Sequence, residues 1–418
     1  MEHNKDKQYQ RRLTWILSIT FGIVLFDRNA ANFLAPLIAV DFHLNYTQVG
    51  ILSSGLALTW AISGMAGGVI SDRIGRRKLP LLICVTLFSL CSVLSGMAYS
   101  FGTLLASRLL MGVAEGPILP ISHSMIAEQS SLEERGHNMG VMQNAGSALL
   151  GSFVAPIVLV PIAQAVSWHG ALYLAALPGI VMAVVVWRGV REPKSEPSPL
   201  PSTSKGARIS IGQLLQYRNF VLCLAATVAL VAFVIIGWVF LPQYYTQTLG
   251  FSPGTMSRMM GLLGLSSAAF AFVVPRLSDR FGRRPVIVAA CFMGLFVPVS
   301  LLTLRGPPVL LGCLVFLGAS VAGAMPLLMG TVPSETVPPR MHATAIAMVM
   351  GVGEIFGGVL GPTLSGMAAD RWGLTAPLWI VAACTISAGL LALGLVETAP
   401  RIVNRNLGRL VASSSALP

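Results

Sequence analysis

The sequence predicts an all-α membrane protein whose twelve transmembrane helices form two six-helix bundles. Three observations support this prediction. The 418 residues are 54% hydrophobic and only 11% charged, with a mean hydropathy of +0.74, which leaves too little charge to cover a soluble domain. The chain divides into about twelve apolar runs, each near the roughly 20 residues that a spanning helix needs. One loop sequence also occurs twice, about half the chain apart, which indicates two related halves.

The apolar runs define the predicted helices. The first run is too long for a cleavable signal peptide and contains Asp27 and Arg28, so we expect it to remain as helix 1. In chain order the runs lie near 13–37, 46–70, 79–98, 102–127, 137–160, 168–188, 219–245, 254–274, 285–304, 308–331, 342–368 and 375–396.

A polar stretch divides the runs into six and six. Residues 192–205 read Glu-Pro-Lys-Ser-Glu-Pro-Ser-Pro-Leu-Pro-Ser-Thr-Ser-Lys, a composition typical of a flexible linker. The other loops are too short for a soluble domain. We therefore predict an N-terminal bundle (1–188), a cytoplasmic linker (189–218), a C-terminal bundle (219–396) and a cytoplasmic tail (397–418).

The distribution of basic residues predicts the orientation. A net charge of +12 could indicate nucleic-acid binding, but the bases lie in alternate loops. With both termini inside, 23 of the 28 Lys and Arg residues are cytoplasmic and two lie within helices, which leaves only Arg258, Arg305 and Arg371 outside. This asymmetry is the positive-inside pattern. The expected partner of the surface is the lipid bilayer, and no nucleic acid is expected.

The repeated loop carries the most specific motif. Residues 68–78 read Gly-Val-Ile-Ser-Asp-Arg-Ile-Gly-Arg-Arg-Lys, and residues 278–284 read Ser-Asp-Arg-Phe-Gly-Arg-Arg. The arginines suit a cytoplasmic membrane surface, where they would also fix topology. An acid such as Asp72 could lie at a helix N-terminus, where the helix dipole favours a negative charge.

This loop resembles the signature between helices 2 and 3 of the major facilitator superfamily, Gly-x-x-x-Asp-Arg-x-Gly-x-Arg-Arg/Lys. The resemblance implies a transporter fold over nearly the whole chain, and implies that Asp72 meets the start of helix 11 near His342 in the outward-open state. The second copy departs from the signature, because Pro275 stands in place of the first glycine. The residues assigned to this conformational latch are Gly68, Asp72, Arg73, Gly75, Arg77, Asp279, Arg280, Gly282 and Arg284.

A second resemblance concerns helices 1 and 4. Phe26-Asp27-Arg28 with Asn32, and the segment 108–117 (Arg-Leu-Leu-Met-Gly-Val-Ala-Glu-Gly-Pro), are similar to the anion:cation symporter family. That family includes sugar-acid transporters and sialin-like organic-anion transporters. Many of its members use protons to drive the uptake of carboxylates.

Five charged residues fall well inside the apolar runs: Asp27, Arg28, Arg108, Glu115 and Glu354. A charge at the bilayer centre costs at least about 2.5–3.5 kcal/mol on insertion scales, so such residues face protein or water and are functional by default. Three acids face two bases, which leaves one acid available to carry a proton. An arginine released from such a pair can bind a substrate carboxylate through its planar fork. The alternative is a set of interhelical ion bridges that fix packing.

Roles for these residues follow from the resemblance. It implies that Arg28 binds the anion, that Asp27 and Glu115 take part in proton coupling, and that Arg108 pairs with these acids. Glu354 is either a third titrating group or a bond from helix 11 to its neighbours.

Further polar residues are candidates for contacts with the substrate, although each could equally bond a neighbouring helix. We place Arg108 with them in the substrate-binding set, together with Asn32, Gln143, Asn144, Ser147, Trp238 and Gln243. Trp60 could line the same cavity. Tyr244 and Tyr245 could line it too, but their position near the outer end of helix 7 favours an interfacial aromatic belt.

The sequence favours a transporter over an enzyme. It contains no P-loop, no recognisable nucleophile–base set and no His/Cys cluster with metal spacing, so we expect no metal and no cofactor other than the proton gradient. The prediction is a monomeric proton-coupled symporter for a small organic anion in the plasma membrane, most simply a bacterial inner membrane. Its competitors are a drug/proton antiporter, whose helix 4 glutamine is Met111 here, and a non-transporting membrane sensor.

Overall fold

A computed structural model describes residues 2–130, 134–192 and 211–402, and within these ranges the side chains of residues 2–6, 69, 72, 136, 211, 340 and 343 are not described. The described residues form helices, and twelve of these are long and apolar enough to cross a membrane. These spans, labelled α1 to α12 in order, are Lys7–Asp41, Tyr46–Gly68, Lys78–Gly96, Phe101–Gln129, His137–Ala165, Trp168–Gly189, Arg218–Thr248, Pro253–Phe281, Arg283–Thr303, Pro308–Thr336, Thr344–Trp372 and Thr375–Leu393.

The twelve predicted runs are confirmed as helices, and their ends shift by a few residues. The first helix extends over Glu2–Asp41 and the second over Tyr46–Ile74, beyond their apolar spans. Hydropathy marks the part of a helix that can lie in lipid, whereas backbone hydrogen bonding continues past it. The spans are helical because a segment in lipid must satisfy every backbone N–H and C=O within itself.

Helix ends carry recognisable caps. Asn45 and Gln48 form a capping box at the start of α2, and Ser100 and Thr103 form another at the start of α4. Ser167 accepts a hydrogen bond from the backbone N–H of Gly170 and so caps α6.

Several spans change helical geometry along their length. π-helical segments occupy Ser147–Val154 in α5, Tyr244–Thr248 in α7, Leu327–Thr331 in α10 and Gly353–Val359 in α11. Such segments are rare and often occur at functional sites. The remaining described elements are the short helix Ile211–Leu214 and the 3₁₀ turns Ala319–Ala324, within α10, and Pro339–Met341, before α11.

The chain groups into two compact units. The first comprises residues 1–206, 238–268 and 359–376, so it contains α1 to α6 with parts of α7, α8, α11 and α12. One of its cores is apolar and joins helices that are distant in sequence, since Leu17, Phe88, Ile118 and Met142 are all fully buried within it.

The second unit comprises residues 207–237, 269–358 and 377–418. One of its cores packs Phe220, Met341 and Val349 with their neighbours. The Asn219 side chain and the backbone of Val396 exchange two hydrogen bonds of 2.9 and 2.8 Å, which tie the start of α7 to the segment after α12. The predicted bundle boundaries at 188, 218 and 396 remain predictions.

Candidate functional site

Four ionisable side chains from two helices form a buried charge cluster in the first unit. We use this name for Asp27 and Arg28 of α1 and Arg108 and Glu115 of α4. Asp27, Arg108 and Glu115 are at most 1% exposed, and Arg28 is half-buried. Helix 1 reaches α4 through the apolar core that both share, so the cluster lies among side chains and not in lipid.

Asp27 is held by one hydrogen bond. The Ser92 hydroxyl of α3 donates to its Oδ1 at 2.7 Å, while Oδ2 is buried without a hydrogen-bond partner. Asp27 and Arg108 lie within electrostatic range of each other, but no ion pair of 4.0 Å or less joins them. The pairing of Arg108 with Asp27 is therefore a proximity of opposite charges and not a closed salt bridge.

Arg108 and Glu115 lie on one face of α4, seven residues apart. The Arg108 Nη1 donates to the sulfur of Met111 at 3.1 Å, and its Nε and Nη2 have no hydrogen-bond partner. Both carboxylate oxygens of Glu115 are also buried without a partner. Glu115 has Arg28 within electrostatic range as well as Arg108. Each base of the cluster thus lies near an acid of the other helix.

Trp60 of α2 contacts Arg28. The Arg28 guanidinium carbon lies 5.1 Å from the centre of the Trp60 ring, within the range of a cation–π contact. The Trp60 ring also packs against Leu56, Cys91 and Met111, and its Nε1–H is buried without an acceptor. Trp60 therefore ties the position of Arg28 to the packing of α2 on α3 and α4.

Close backbone approach between α2 and α4 sets this geometry. A Cβ at Gly112 would lie 2.4 Å from the carbonyl oxygen of Leu56, and one at Gly116 would lie 2.4 Å from that of Trp60. Ser63 donates from its hydroxyl to the Gly112 carbonyl at 3.0 Å. Only glycine allows this contact, which brings the Trp60 backbone against the turn that carries Glu115.

The cluster contains unsatisfied donors and acceptors together. Buried polar atoms are normally hydrogen-bonded, and each one left without a partner is destabilising by about 1–3 kcal/mol. Here the donors are on Trp60 and Arg108, and the acceptors are on Asp27 and Glu115. The formal charges of Asp27, Arg28, Arg108 and Glu115 sum to zero. Such a site can accept a proton on one of its acids. It can also bind water or a polar ligand that bridges a donor and an acceptor.

The predicted substrate-contacting residues have different environments. Asn32 and Gln143 are half-buried. The Asn144 amide donates to the Gly140 carbonyl at 3.0 Å and the Ser147 hydroxyl to the Gln143 carbonyl at 2.6 Å, so both side chains bond their own helix.

The two predicted contacts on α7 also lie in the first unit. Trp238 packs edge-on against Phe33 with ring centroids 5.6 Å apart. Gln243 is fully buried, and neither its oxygen nor its nitrogen has a hydrogen-bond partner. Gln243 is therefore a further buried polar group whose hydrogen-bonding capacity is unused.

The aromatic-belt prediction for Tyr244 and Tyr245 is wrong. A belt residue presents its ring to the membrane interface, whereas these two side chains are 2% and 0% exposed. Tyr245 stacks on Phe251, with ring centroids 6.1 Å apart, and its hydroxyl is buried without a partner. Position near a helix end indicated the belt, but tertiary packing covers this face of α7.

Glu354 lies in the second unit, in the π-helical segment Gly353–Val359 of α11. It is half-buried, it has an interaction partner, and a Cβ at Gly358 would lie 3.1 Å from its carboxyl carbon. Its assignment to proton coupling remains a prediction.

The loop arginine of the first unit bonds within that unit. Arg77 pairs with Glu128 at the end of α4 (Nη2 to Oε1, 2.9 Å) and donates from Nη1 to the Ser71 hydroxyl at 3.1 Å. Glu192 accepts from the backbone N–H groups of Arg77 and Lys78, at the start of α3. Sequence reasoning missed Glu128 and Glu192, although an acid at each helix end beside a basic loop is a readable signal.

The second loop repeats this arrangement in the second unit with a shift of one residue. Arg283 pairs with Glu335 (Nη2 to Oε1, 2.9 Å) and with Asp279, and donates to the Ser278 hydroxyl at 2.7 Å. Glu397 accepts from the backbone N–H of Arg283 at 2.7 Å. Arg283 is thus the counterpart of Arg77, whereas the sequence singled out Arg284.

The other predicted latch residues are placed as follows. Arg73, Arg280 and Arg284 are exposed, while Gly75 and Gly282 end their helices with φ of 66° and 105°. A Cβ at Gly68 would lie 3.8 Å from Pro120, an ordinary contact; the tight neighbour is Gly67, whose Cβ would lie 2.4 Å from that of Pro117. The side chain of Asp72 lies outside the described residues.

Comparison with known proteins settles the family. A family model described as Major Facilitator Superfamily matches residues 17–353 and, in a second match, residues 222–415. The chain belongs to the major facilitator superfamily. Its all-α fold of twelve spans is that of a solved member, a D-xylose–proton symporter, with a TM-score of 0.74 at 18% identity over 93% of this chain and 98% of the other.

Curated relatives of this superfamily member are named as transporters. It is 28% identical to the hexuronate transporter of Bacillus subtilis, over 85% of this chain and 87% of the relative. It is 29% identical to the gallate transporter of Pseudomonas putida, over 87% of both chains. The relationship supports a multi-pass membrane transporter of the organic-anion type and not an enzyme.

Proposed function

We propose that this chain is a proton-coupled symporter for a small organic anion and works by alternating access. The observation that carries the proposal is the buried charge cluster, in which Asp27, Arg108 and Glu115 are buried and have side-chain atoms without a hydrogen-bond partner. An intramembrane cluster that served only packing would gain most from closed ion bridges, and these acids form none. The names of the relatives, hexuronate and gallate transporters, support a carboxylate substrate.

Arg28 is the proposed anion-binding residue. It lies at the side of the cluster against Trp60, is half-buried, and has Glu115 within electrostatic range. A proton taken up by Glu115 removes one negative charge near Arg28. The positive charge of the guanidinium then favours a substrate carboxylate, which an arginine can bind through two parallel N–H···O bonds.

Asp27 and Arg108 complete the cycle. Their opposite charges remain close while Glu115 is protonated, so one proton and one monoanion enter together without changing the net charge of the site. Conformational change then exposes the site to the other side, where both leave. Glu354 is proposed to take part in proton transfer. Substrate contacts are proposed for Asn32, Gln143, Trp238 and Gln243. Asn144 and Ser147 bond their own helix and would have to break these bonds to contact the substrate.

The cellular setting follows from the same proposal. The charge asymmetry of the loops favours a bacterial inner membrane with both termini cytoplasmic, and two halves in one chain suffice for a monomeric transporter. The energy source is the proton gradient, and no bound cofactor is required.

The test begins with purified protein. Sugar acids, aromatic acids and short dicarboxylates are screened by thermal shift, since a true ligand stabilises the folded state by mass action. A stabilising compound is then added to proteoliposomes while proton movement is followed. Symport predicts that the carboxylate and the proton enter together; proton exit on substrate entry identifies an antiporter, and binding without flux identifies a sensor.

Arg28→Ala tests the assigned residue. We expect it to abolish binding of the stabilising carboxylate, because the bidentate partner is lost, while Arg28→Lys retains weakened binding through a point charge. Isothermal titration on the purified variants measures both affinities. Unchanged affinity in Arg28→Ala would remove Arg28 from the anion site.

A further inference from the structure

An acid of α11 satisfies the first turn of α2. The Asp370 carboxylate accepts hydrogen bonds from the backbone N–H of Tyr46 (2.8 Å) and of Thr47 (3.0 Å), and from the Thr47 hydroxyl. The first N–H groups of a helix have no partner within it. Asn45 caps only the N–H of Gln48, at 2.8 Å, so Asp370 serves the two donors that the local cap leaves.

The sequence around Asp370 repeats the loop motif a third time. Asp370-Arg371-Trp372-Gly373 has the Asp-Arg-x-Gly pattern of residues 72–75 and 279–282. In all three copies the glycine has a positive φ (66°, 105° and 79°) and ends a helix. The distribution of basic residues predicts that the third copy lies on the outer side of the membrane, whereas the other two copies lie on the cytoplasmic side.

The helix dipole explains why this acid needs a partner. Asp370 lies in the last turn of α11, where the negative end of the dipole disfavours an acid. The positive N-terminal end of α2 supplies the compensating field and two backbone donors. The acid is therefore stabilised by α2 while α2 and α11 are together, and it loses this stabilisation when they part.

Below the carboxylate the two helices touch along their backbones. A Cβ at Gly50 would lie 2.3 Å from the carbonyl oxygen of Pro362, and one at Gly366 would lie 2.4 Å from that of Tyr46. The Thr363 hydroxyl donates to that of Ser54 at 2.8 Å. This contact joins α2, from the first six spans, to α11, from the last six.

We propose that Asp370 is the latch of an outer gate: it holds the N-terminus of α2 against α11, and its release accompanies opening of the pathway on that side. The inference rests on the alternating access of the proposed function. Asp370 and the first turn of α2 are accessible to solvent, so water can replace the carboxylate when the helices part. The latch is a reversible electrostatic contact placed over a close-packed seam.

A reporter cysteine tests the latch directly. Ala57 lies seven residues after Gly50 on the same face of α2 and is 1% exposed, so Ala57→Cys, in a background from which the six native cysteines are removed, is shielded while the seam is closed. A membrane-impermeant maleimide is applied from the predicted outer side. With Asp370→Asn we expect labelling to be roughly tenfold faster, because a charge-assisted hydrogen bond is worth about a factor of ten in an equilibrium.

Asp41→Asn is the matched control. Asp41 is also an acid at the predicted outer ends of the helices, but it accepts from the Trp168 indole at 2.9 Å, a contact between α1 and α6 within the first six spans. We expect this variant to label at the rate of the unsubstituted reporter. Size-exclusion chromatography and the melting temperature establish that each variant is folded.

A wedge variant separates the carboxylate from the packing. Gly366→Ala forces the Tyr46 backbone away and should also speed labelling, with the carboxylate intact. If Gly366→Ala speeds labelling while Asp370→Asn matches the Asp41→Asn control, packing alone closes the seam and the latch role of Asp370 is overturned. Labelling requires neither a carboxylate substrate nor a proton, so this outcome is distinct from failure of the proposed symport.

Discussion

The most decisive perturbation of the charge cluster is Glu115→Gln, which removes a negative charge and nearly preserves shape. In the native cluster the charges of Asp27 and Glu115 (−2) and of Arg28 and Arg108 (+2) sum to zero. A bound monoanion makes the sum −1 unless one proton enters with it. In the variant the sum is already +1, so the anion restores neutrality by itself.

The expected magnitude follows from this count. One proton carried with one monoanion is electroneutral, so only the pH difference drives accumulation, by about 1.4 kcal/mol or tenfold per pH unit. At one unit of pH difference, the internal concentration of substrate should reach about ten times the external concentration with the wild type. With Glu115→Gln the two concentrations should be about equal. The variant should still bind the anion and exchange it across the membrane, because Arg28 remains.

The assay uses proteoliposomes with the outside more acidic by one pH unit and the membrane potential clamped at zero. The steady-state ratio of internal to external labelled carboxylate is measured, and exchange is measured without a gradient. Glu128→Gln is the control, since Glu128 pairs with Arg77 outside the cluster and its loss changes rates but not the driving force. Full accumulation by Glu115→Gln would refute the coupling role.

Two further substitutions test the packing that supports the cluster. Trp60→Leu removes the ring under Arg28 and should weaken carboxylate binding by roughly three- to tenfold, as expected for loss of a cation–π contact. Trp60→Phe keeps an aromatic ring and should retain most of the affinity. Calorimetric titration measures both affinities, and equal values for the two variants would exclude this contact. Gly116→Ala should lower stability by about 1–3 kcal/mol through overpacking, because its Cβ would lie 2.1 Å from the Ser63 hydroxyl oxygen. Thermal unfolding measures this loss against Gly140→Ala, whose Cβ meets open space, and equal melting temperatures would contradict the argument.

The repeated loop shows what a motif can predict. Its position between spans, its basic character and its helix-ending glycines could all be read from the sequence. Its bonding could not, because the partners Glu128 and Glu335 lie about fifty residues further along the chain, at the ends of other helices. Alignment of the two copies also indicated Arg284 as the counterpart of Arg77. In the structure, however, it is the Arg283 side chain, at the start of its helix, that bonds Glu335.

The candidate site shows the same division. Asp27, Arg28, Arg108 and Glu115 could be found from the sequence because a charge in an apolar run is expensive and therefore informative. Trp60 was a candidate for lining the cavity, as other aromatic residues were, and its contact with Arg28 is visible only in the structure.

By itself, the sequence determined the twelve spans, their predicted orientation and the charged residues of the core, because hydropathy and charge act locally through transfer between water and lipid. Tertiary structure decided which charges meet and which remain unsatisfied, why Tyr245 is buried, and why Asp370 lies on the first turn of α2. These features depend on contacts between helices that are far apart in the chain. The physical reason is that a side chain's partner is set by how helices pack, and no period or motif along a single helix specifies that geometry.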